Sequence, residues 1–448
     1  MASQIAAFPG FGVVQNLSGT YQLSTDHTHL FNVVVDQTNH FVTVYLSTDT
    51  GATWSEADSG NHKPIAAVDP GSANCQNAAS TTAGDVIYIA YVHTDLSIRI
   101  AEFNMATSTW GTVNTGGPTI TSSGIGTNQV LDLERRSSGD LIVFYEGPAE
   151  IVSAVNRGRT CYVKYSGGFG AVQTIGTGQA NNYNLLRVVK GGSDRIHIIM
   201  QGLSNVVRQQ TLKSDDTLGT LQSISSTMNG PNVWPGVYDS ISNTVTVPAS
   251  SGFSAQDCGV FEATDADNPT WTYTDLTTLS TDFAPIQMFT AALDAAGAAW
   301  IFFSAFLSSG ASNATGIFEF NKVGGTWQLA DPSVYGVFDD SLPNNGQSTF
   351  SVSARTIAQG FALAFDEDPT NGNASNPSQM SWLLIATGGG GGTQNVDLNS
   401  SSNGVISGEA INAPVVRNPP PITTLYAVHP HAAGTPSTGG TARYLVDS

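Results

Sequence analysis

Several groups of residues in this 448-residue sequence are of types that bind or react. Asp132 and Glu134 in QVLDLERR are paired carboxylates of the kind that glycoside hydrolysis uses, one as acid and one as base or nucleophile. Tyr183, Trp234 and Tyr238 could stack on sugar rings, with the amides of Asn181 and Asn182 supplying hydrogen bonds; the same rings would equally serve core packing. Asp366 to Asn373, DEDPTNGN, crowds oxygen ligands of the sort calcium takes, but glycine stands at the seventh place and no glutamate closes the loop. The loop is therefore not an EF-hand, and a plain acidic turn accounts for it. His27-Thr28-His29 and His429-Pro430-His431 each place two imidazoles on one side of an extended strand, a segment that could surround a metal in a trimer. No cofactor is required by any of these groups and no metal ligand is assigned from them; calcium is the ion the acidic loop would suit.

The elements that must position these residues are strands. Hydrophobic residues make up 40% of the chain and charged residues only 11%, so the surface is built from neutral polar groups. With 47 glycines among short Val, Ile and aromatic runs, the composition predicts many turns and little helix. A net charge of -19 disfavours contact with phosphate backbones and anionic lipid, so nucleic acid is excluded as a partner. No run approaches a membrane span. Cys75, Cys161 and Cys258 are an odd number without metal-ligand spacing and are expected as buried apolar side chains. Residues 1–19 lack the basic and apolar regions of a secretory signal, so an extracellular location would be reached without a classical signal peptide.

An internal repeat sets the architecture. A turn followed by an aromatic or leucine recurs at Trp54, Trp110, Phe169, Leu218, Trp271 and Trp327, at intervals of 49 to 59 residues. Two strand-like runs precede every copy, as in DVIYIAYV and SIRIAEF, and weaker alternating runs come before them, such as QVLDLERR, YNLLRVVK, NVWPGVYD, FTAALDAA and FSVSARTI. Four strands per repeat predict propeller blades, with the weaker runs innermost around the axis. A seventh unit begins at Phe350 and lacks its last strand, which the run Phe11 to Leu17 is expected to supply. The fold expected is all-β, a seven-bladed β-propeller over 1–387, with six blades as the alternative. A glycine linker at 388–392 and an extended C-terminal arm at 393–448 follow.

Ser47, Asp49, Gly51 and Trp54 match the pattern S-x-D-x-G-x-x-W at all four defining positions, and this segment resembles the Asp-box of sialidases and other BNR-repeat propellers. In that family the box is a folding device at the blade periphery. Sialidase chemistry, as the resemblance implies it, needs three arginines on a carboxylate, a tyrosine activated by a glutamate, and an acidic aspartate. Arg136, Arg187 and Arg355 fall on expected innermost strands, near Asp132, Glu134, Tyr145 and Glu146. However, no arginine precedes Arg99, which removes one expected ligand. No catalytic residue is therefore assigned, and Arg187 joins Tyr183, Trp234 and Tyr238 as a candidate glycan contact.

The segment after Gly392 is rich in Pro, Ser, Gly and Asn and could not bury a core alone. It is expected to lie against its own propeller, a sister subunit or another protein. Together with the degraded active-site pattern it resembles a bacteriophage virion protein. The function expected is a non-catalytic structural or receptor-binding propeller of an oligomeric assembly, binding other subunits and cell-surface glycans; the alternative is a sialidase-like or other glycoside hydrolase.

Overall fold

The computed structural model describes residues 3–7, 14–15, 19–36, 39–66, 78–120, 131–152, 155–176, 186–201, 206–226, 228, 231–251, 257–279, 283–294, 296–307, 315–329, 335–338, 352–367, 379–386, 425–428 and 443–446. They form seven antiparallel sheets of at least four strands, a seven-bladed β-propeller, so the six-bladed alternative is set aside. Among the described residues no helix is long and apolar enough to cross a membrane.

The second blade shows the plan. Its strands Ala78–Ala83, Val86–Val92, Ile98–Asn104 and Thr109–Asn114 pair in sequence order from the axis outward. The expected innermost runs are innermost strands in five further blades: Leu131–Arg135, Leu186–Lys190, Pro231–Val233 with Val237–Asp239, Phe283–Leu293, and Val352–Ile357. The periodic residues mark the outer strands. Trp110, Trp271 and Trp327 lie on them, Trp54 immediately precedes Ser55–Glu56, and Phe169 and Leu218 bridge to Tyr165 and Leu212 just ahead of theirs.

Each sheet is covered on both faces by its neighbours, which is why the middle strands read as nearly continuous apolar runs. Side chains alternate across a strand. In Leu141–Val152, Leu141, Val143 and Tyr145 therefore pack with Ile98, Ile100 and Leu131 toward the second blade. Ile142 and Phe144 pack with Leu186 and Val188 toward the fourth. Cys161 and Cys258 are reduced and buried, as expected.

The seventh blade differs from expectation in the strand that completes it. Ser3–Ala7 pairs antiparallel with Gln379–Ala386, outside Gly360–Glu367 and Val352–Ile357. Of the run Phe11 to Leu17, the described pair Val14–Gln15 lies at the other end of a sheet, against Val35 and Asp36 on the inner side of the first blade. An outer edge strand needs little beyond backbone hydrogen bonds, so SQIAA does the work without a strong apolar pattern.

The seam between first and seventh blades is closed by the turn Ser47 to Trp54. The Asp49 carboxylate accepts hydrogen bonds from the Ser47 hydroxyl (2.7 Å), the Thr53 amide (2.8 Å) and the Thr53 hydroxyl (2.6 Å). The Thr53 hydroxyl and amide, then Ser47, pull its pKa down to about 2. Gly51 has φ +89°, and a Cβ there would lie 2.1 Å from the Trp382 ring, so only glycine fits. Trp54 donates its indole N–H to the Gly51 carbonyl (3.1 Å) and packs at 5.8 Å from Trp382, whose own indole donates to Thr20 (3.0 Å).

Within residues 393–448, Leu425–Val428 pairs antiparallel with Arg443–Val446.

Candidate functional site

The innermost strand of the third blade, Leu131–Arg135, alternates apolar and acidic residues. Leu131 and Leu133 are buried toward the second blade, leaving Asp132 and Glu134 together on the opposite side, facing the fourth. Asp132 is tied down at both oxygens. One accepts the Leu133 amide (2.9 Å) and the other reaches across to the Val188 amide (3.0 Å). Burial pushes its pKa up against the opposing pull of the Arg187 guanidinium and those two amides. Glu134 is pushed up to about 8, first by burial and then by the Asp132 charge, outweighing Arg355 and Lys190. At neutral pH it is a protonated acid.

Three cations surround this pair. Arg187, 3% exposed, donates to the Leu186 carbonyl (2.8 Å), and its Nε meets no partner; burial lowers its pKa while Asp132 raises it. Lys190 donates to the Arg135 carbonyl (2.6 Å) and pairs with Asp194 (3.2 Å). Arg355, from the seventh blade, lies 4.2 Å above the Tyr21 ring and donates to its hydroxyl (2.9 Å), which in turn meets Ser80 at 2.6 Å. Gly19 makes room for it, since a Cβ there would come within 2.7 Å of the Arg355 side chain. Charged groups from the third, fourth and seventh blades thus share the axis, linked through Tyr21 to the first blade and Ser80 to the second.

The sequence-derived candidates separate on this geometry. Asp132, Glu134, Arg187 and Arg355 are brought together. Arg136 is not: its guanidinium binds the Lys213 carbonyl (2.6 Å), the Ser214 carbonyl (3.1 Å) and Asp216, clamping the third blade to a hairpin of the fourth. Tyr145 is 1% exposed on a second strand, where burial raises its phenol above the usual range, so it is core and not a nucleophile beside the axis. Trp234 is 4% exposed within an apolar cluster, with its indole N–H on Ser250 (2.9 Å). Tyr238 is half-buried beside Gly192, its hydroxyl donating to Asn243 (2.9 Å) at a turn. Tyr183, residues 368–373 of the acidic loop, and His429 and His431 lie outside the described residues. His27 and His29 sit in a turn and not on a strand, with the His29 ring on Asp26 at 2.6 Å.

Sequence reasoning missed Tyr21 and Lys190. Lys190 is visible in hindsight as the last residue of YNLLRVVK, an even step from Arg187's neighbour Val188. Tyr21 lies in the three-residue strand Thr20–Gln22, too short for a periodicity.

No family model matches the sequence, and no curated protein matches it. Solved structures do resemble the chain. One is the six-bladed β-propeller lectin of the fungus Aleuria aurantia, 16% identical, covering 75% of this chain and 99% of its own, with a TM-score of 0.46. A second is an ulvan lyase of a polysaccharide lyase family, 12% identical over 68% of this chain and 78% of that one, TM-score 0.44. A third is an α-L-arabinanase of Penicillium chrysogenum, 12% identical over 85% and 97%, TM-score 0.42. Each is a likeness of chain path at low identity, and none assigns a ligand or a reaction to this chain.

Proposed function

We propose that this chain is a non-catalytic propeller of the Asp-box lineage that serves a virion or another large extracellular assembly, binding glycans and joining neighbouring subunits through residues 393–448. The observation that carries the non-catalytic reading is the commitment of Asp132. Glycoside hydrolysis needs two carboxyl groups flanking the scissile bond. Here both stand on one side of a single strand, and Asp132 spends its two oxygens on the Leu133 and Val188 amides, holding the third blade to the fourth.

The composition fits the glycan part of this reading: a surface poor in charge but rich in hydroxyls and amides suits neutral sugars.

One observation favours hydrolysis as a second reading: Glu134, protonated at neutral pH beside an aspartate, is in the state a general acid needs. A screen of the full-length chain on immobilised glycans, with fluorogenic glycosides assayed in parallel, separates the two. Saturable glycan binding without turnover is expected. Turnover abolished by both Asp132→Asn and Glu134→Gln would overturn the proposal, and so would the absence of any glycan binding.

A further inference from the structure

At the outer edge of the first blade, remote from the axial cluster, Glu56, Asp58 and His62 bring one ligand atom each within 4.8 Å of one another. We propose that this is a divalent transition-metal site, of the zinc class, in which His62 Nε2 and Glu56 are the protein ligands and Asp58 is a positioning residue.

The division of labour follows from the hydrogen bonds. Asp58 is buried at 3% exposure and its Oδ2 already faces three donors: the Thr43 hydroxyl (3.0 Å), the Trp110 indole N–H (3.4 Å) and His62 Nδ1 (3.2 Å). Its Oδ1 accepts the Gly60 amide (3.3 Å). An oxygen so occupied is poorly placed to ligate directly, but it is well placed to hold a histidine. With the Nδ1 proton directed at Asp58, the Nε2 lone pair is left free, and it lies 3.9 Å from Glu56 Oε1. A carboxylate behind an imidazole that presents its other nitrogen outward is the arrangement metal-binding histidines use.

The ring cannot swing away. Phe41 stacks on it at 4.0 Å with planes 9° apart, so the nitrogen is held in place before any ion arrives. Zinc with bonds of about 2.0–2.1 Å holds tetrahedral ligands roughly 3.4 Å apart, so Glu56 needs to close by about half an ångström. Glu56 is exposed and can do so, with water completing the coordination. Glu56 and His62 flank the segment between the outer strands Ser55–Glu56 and Lys63–Pro64, both paired to Phe41–Ser47, so a bound ion would pin that loop to the blade.

Zinc titration of the full-length chain by calorimetry tests this, alongside Glu56→Gln, His62→Gln and Asp58→Asn. Glu56→Gln alters an exposed side chain and guards against failure to fold, with the metal-free melting curve as control. One zinc equivalent is expected to be lost in Glu56→Gln and in His62→Gln. Binding is expected to weaken 10- to 100-fold in Asp58→Asn, where the ligands remain but their support is lost. Zinc should also raise the melting temperature of the wild type more than that of Glu56→Gln. Unchanged stoichiometry and affinity in Glu56→Gln would overturn the proposal by assigning any bound zinc to other histidines, and so would a wild-type chain that takes up no zinc at millimolar concentration.

Discussion

Glu134 keeps its proton because burial and the Asp132 charge outweigh Arg355 and Lys190, and this has a thermodynamic consequence. A carboxyl whose folded pKa of about 8 exceeds its ordinary 4.5 contributes stability that is complete below 4.5 and lost as pH rises through 8. Glu134→Gln keeps the shape and removes the titration. The variant is expected to match the wild type at pH 4 and to exceed it by about 2–4 kcal/mol at pH 9, read from chemical denaturation at both pH values. A difference independent of pH would mean that Glu134 does not titrate in this range. Asp49 has the opposite sign. With its folded pKa down at about 2, its contribution is present above 3.8 and disappears as pH falls through 2. Asp49→Ala should therefore lower the melting temperature at pH 7, and the gap to the wild type should narrow between pH 4 and pH 2. An undiminished gap at pH 2 would assign the loss to packing.

At the scale of elements, the blades were legible and their closure was not. Strands buried on both faces write long apolar runs into the sequence, and the outer-strand aromatics recur once per blade, so Ile87, Ile89, Phe144 and Trp327 announce their places. Ser3–Ala7 does not, because an edge strand is held by its neighbour's backbone. The surroundings of Trp234 were not legible either, for a related reason. Aromatics near an axis and aromatics in a core look alike until the direction of the side chain is known. The seam makes two element-level predictions. Deleting residues 1–7 strips the outer edge of Gln379–Ala386, so the shortened chain should melt earlier and associate at micromolar concentration, as light scattering would report. Gly51→Ala forces a β-carbon into the Trp382 ring at a positive φ and is expected to cost about 2–4 kcal/mol, measured by denaturant unfolding. A neutral result would show that the Ser47 to Trp54 turn can retreat from the seventh blade without loss.

For the molecule as a whole, the ring and the C-terminal segment can be tested separately. Every blade, the seventh included, is complete within residues 3–386, so the propeller needs nothing after that point to pair its strands. The described part of the C-terminal segment is the hairpin Leu425–Val428 with Arg443–Val446, and a two-stranded sheet is marginal in water unless something covers it. If the hairpin is the device that joins subunits, full-length chain should run as an oligomer in light scattering. A chain ending at Thr387 should then run as a monomer, with its thermal unfolding and its glycan binding intact. An oligomer of the same size after truncation would move the subunit contacts onto the ring itself. A truncated chain that melts earlier while staying monomeric throughout would make the hairpin a brace for its own propeller.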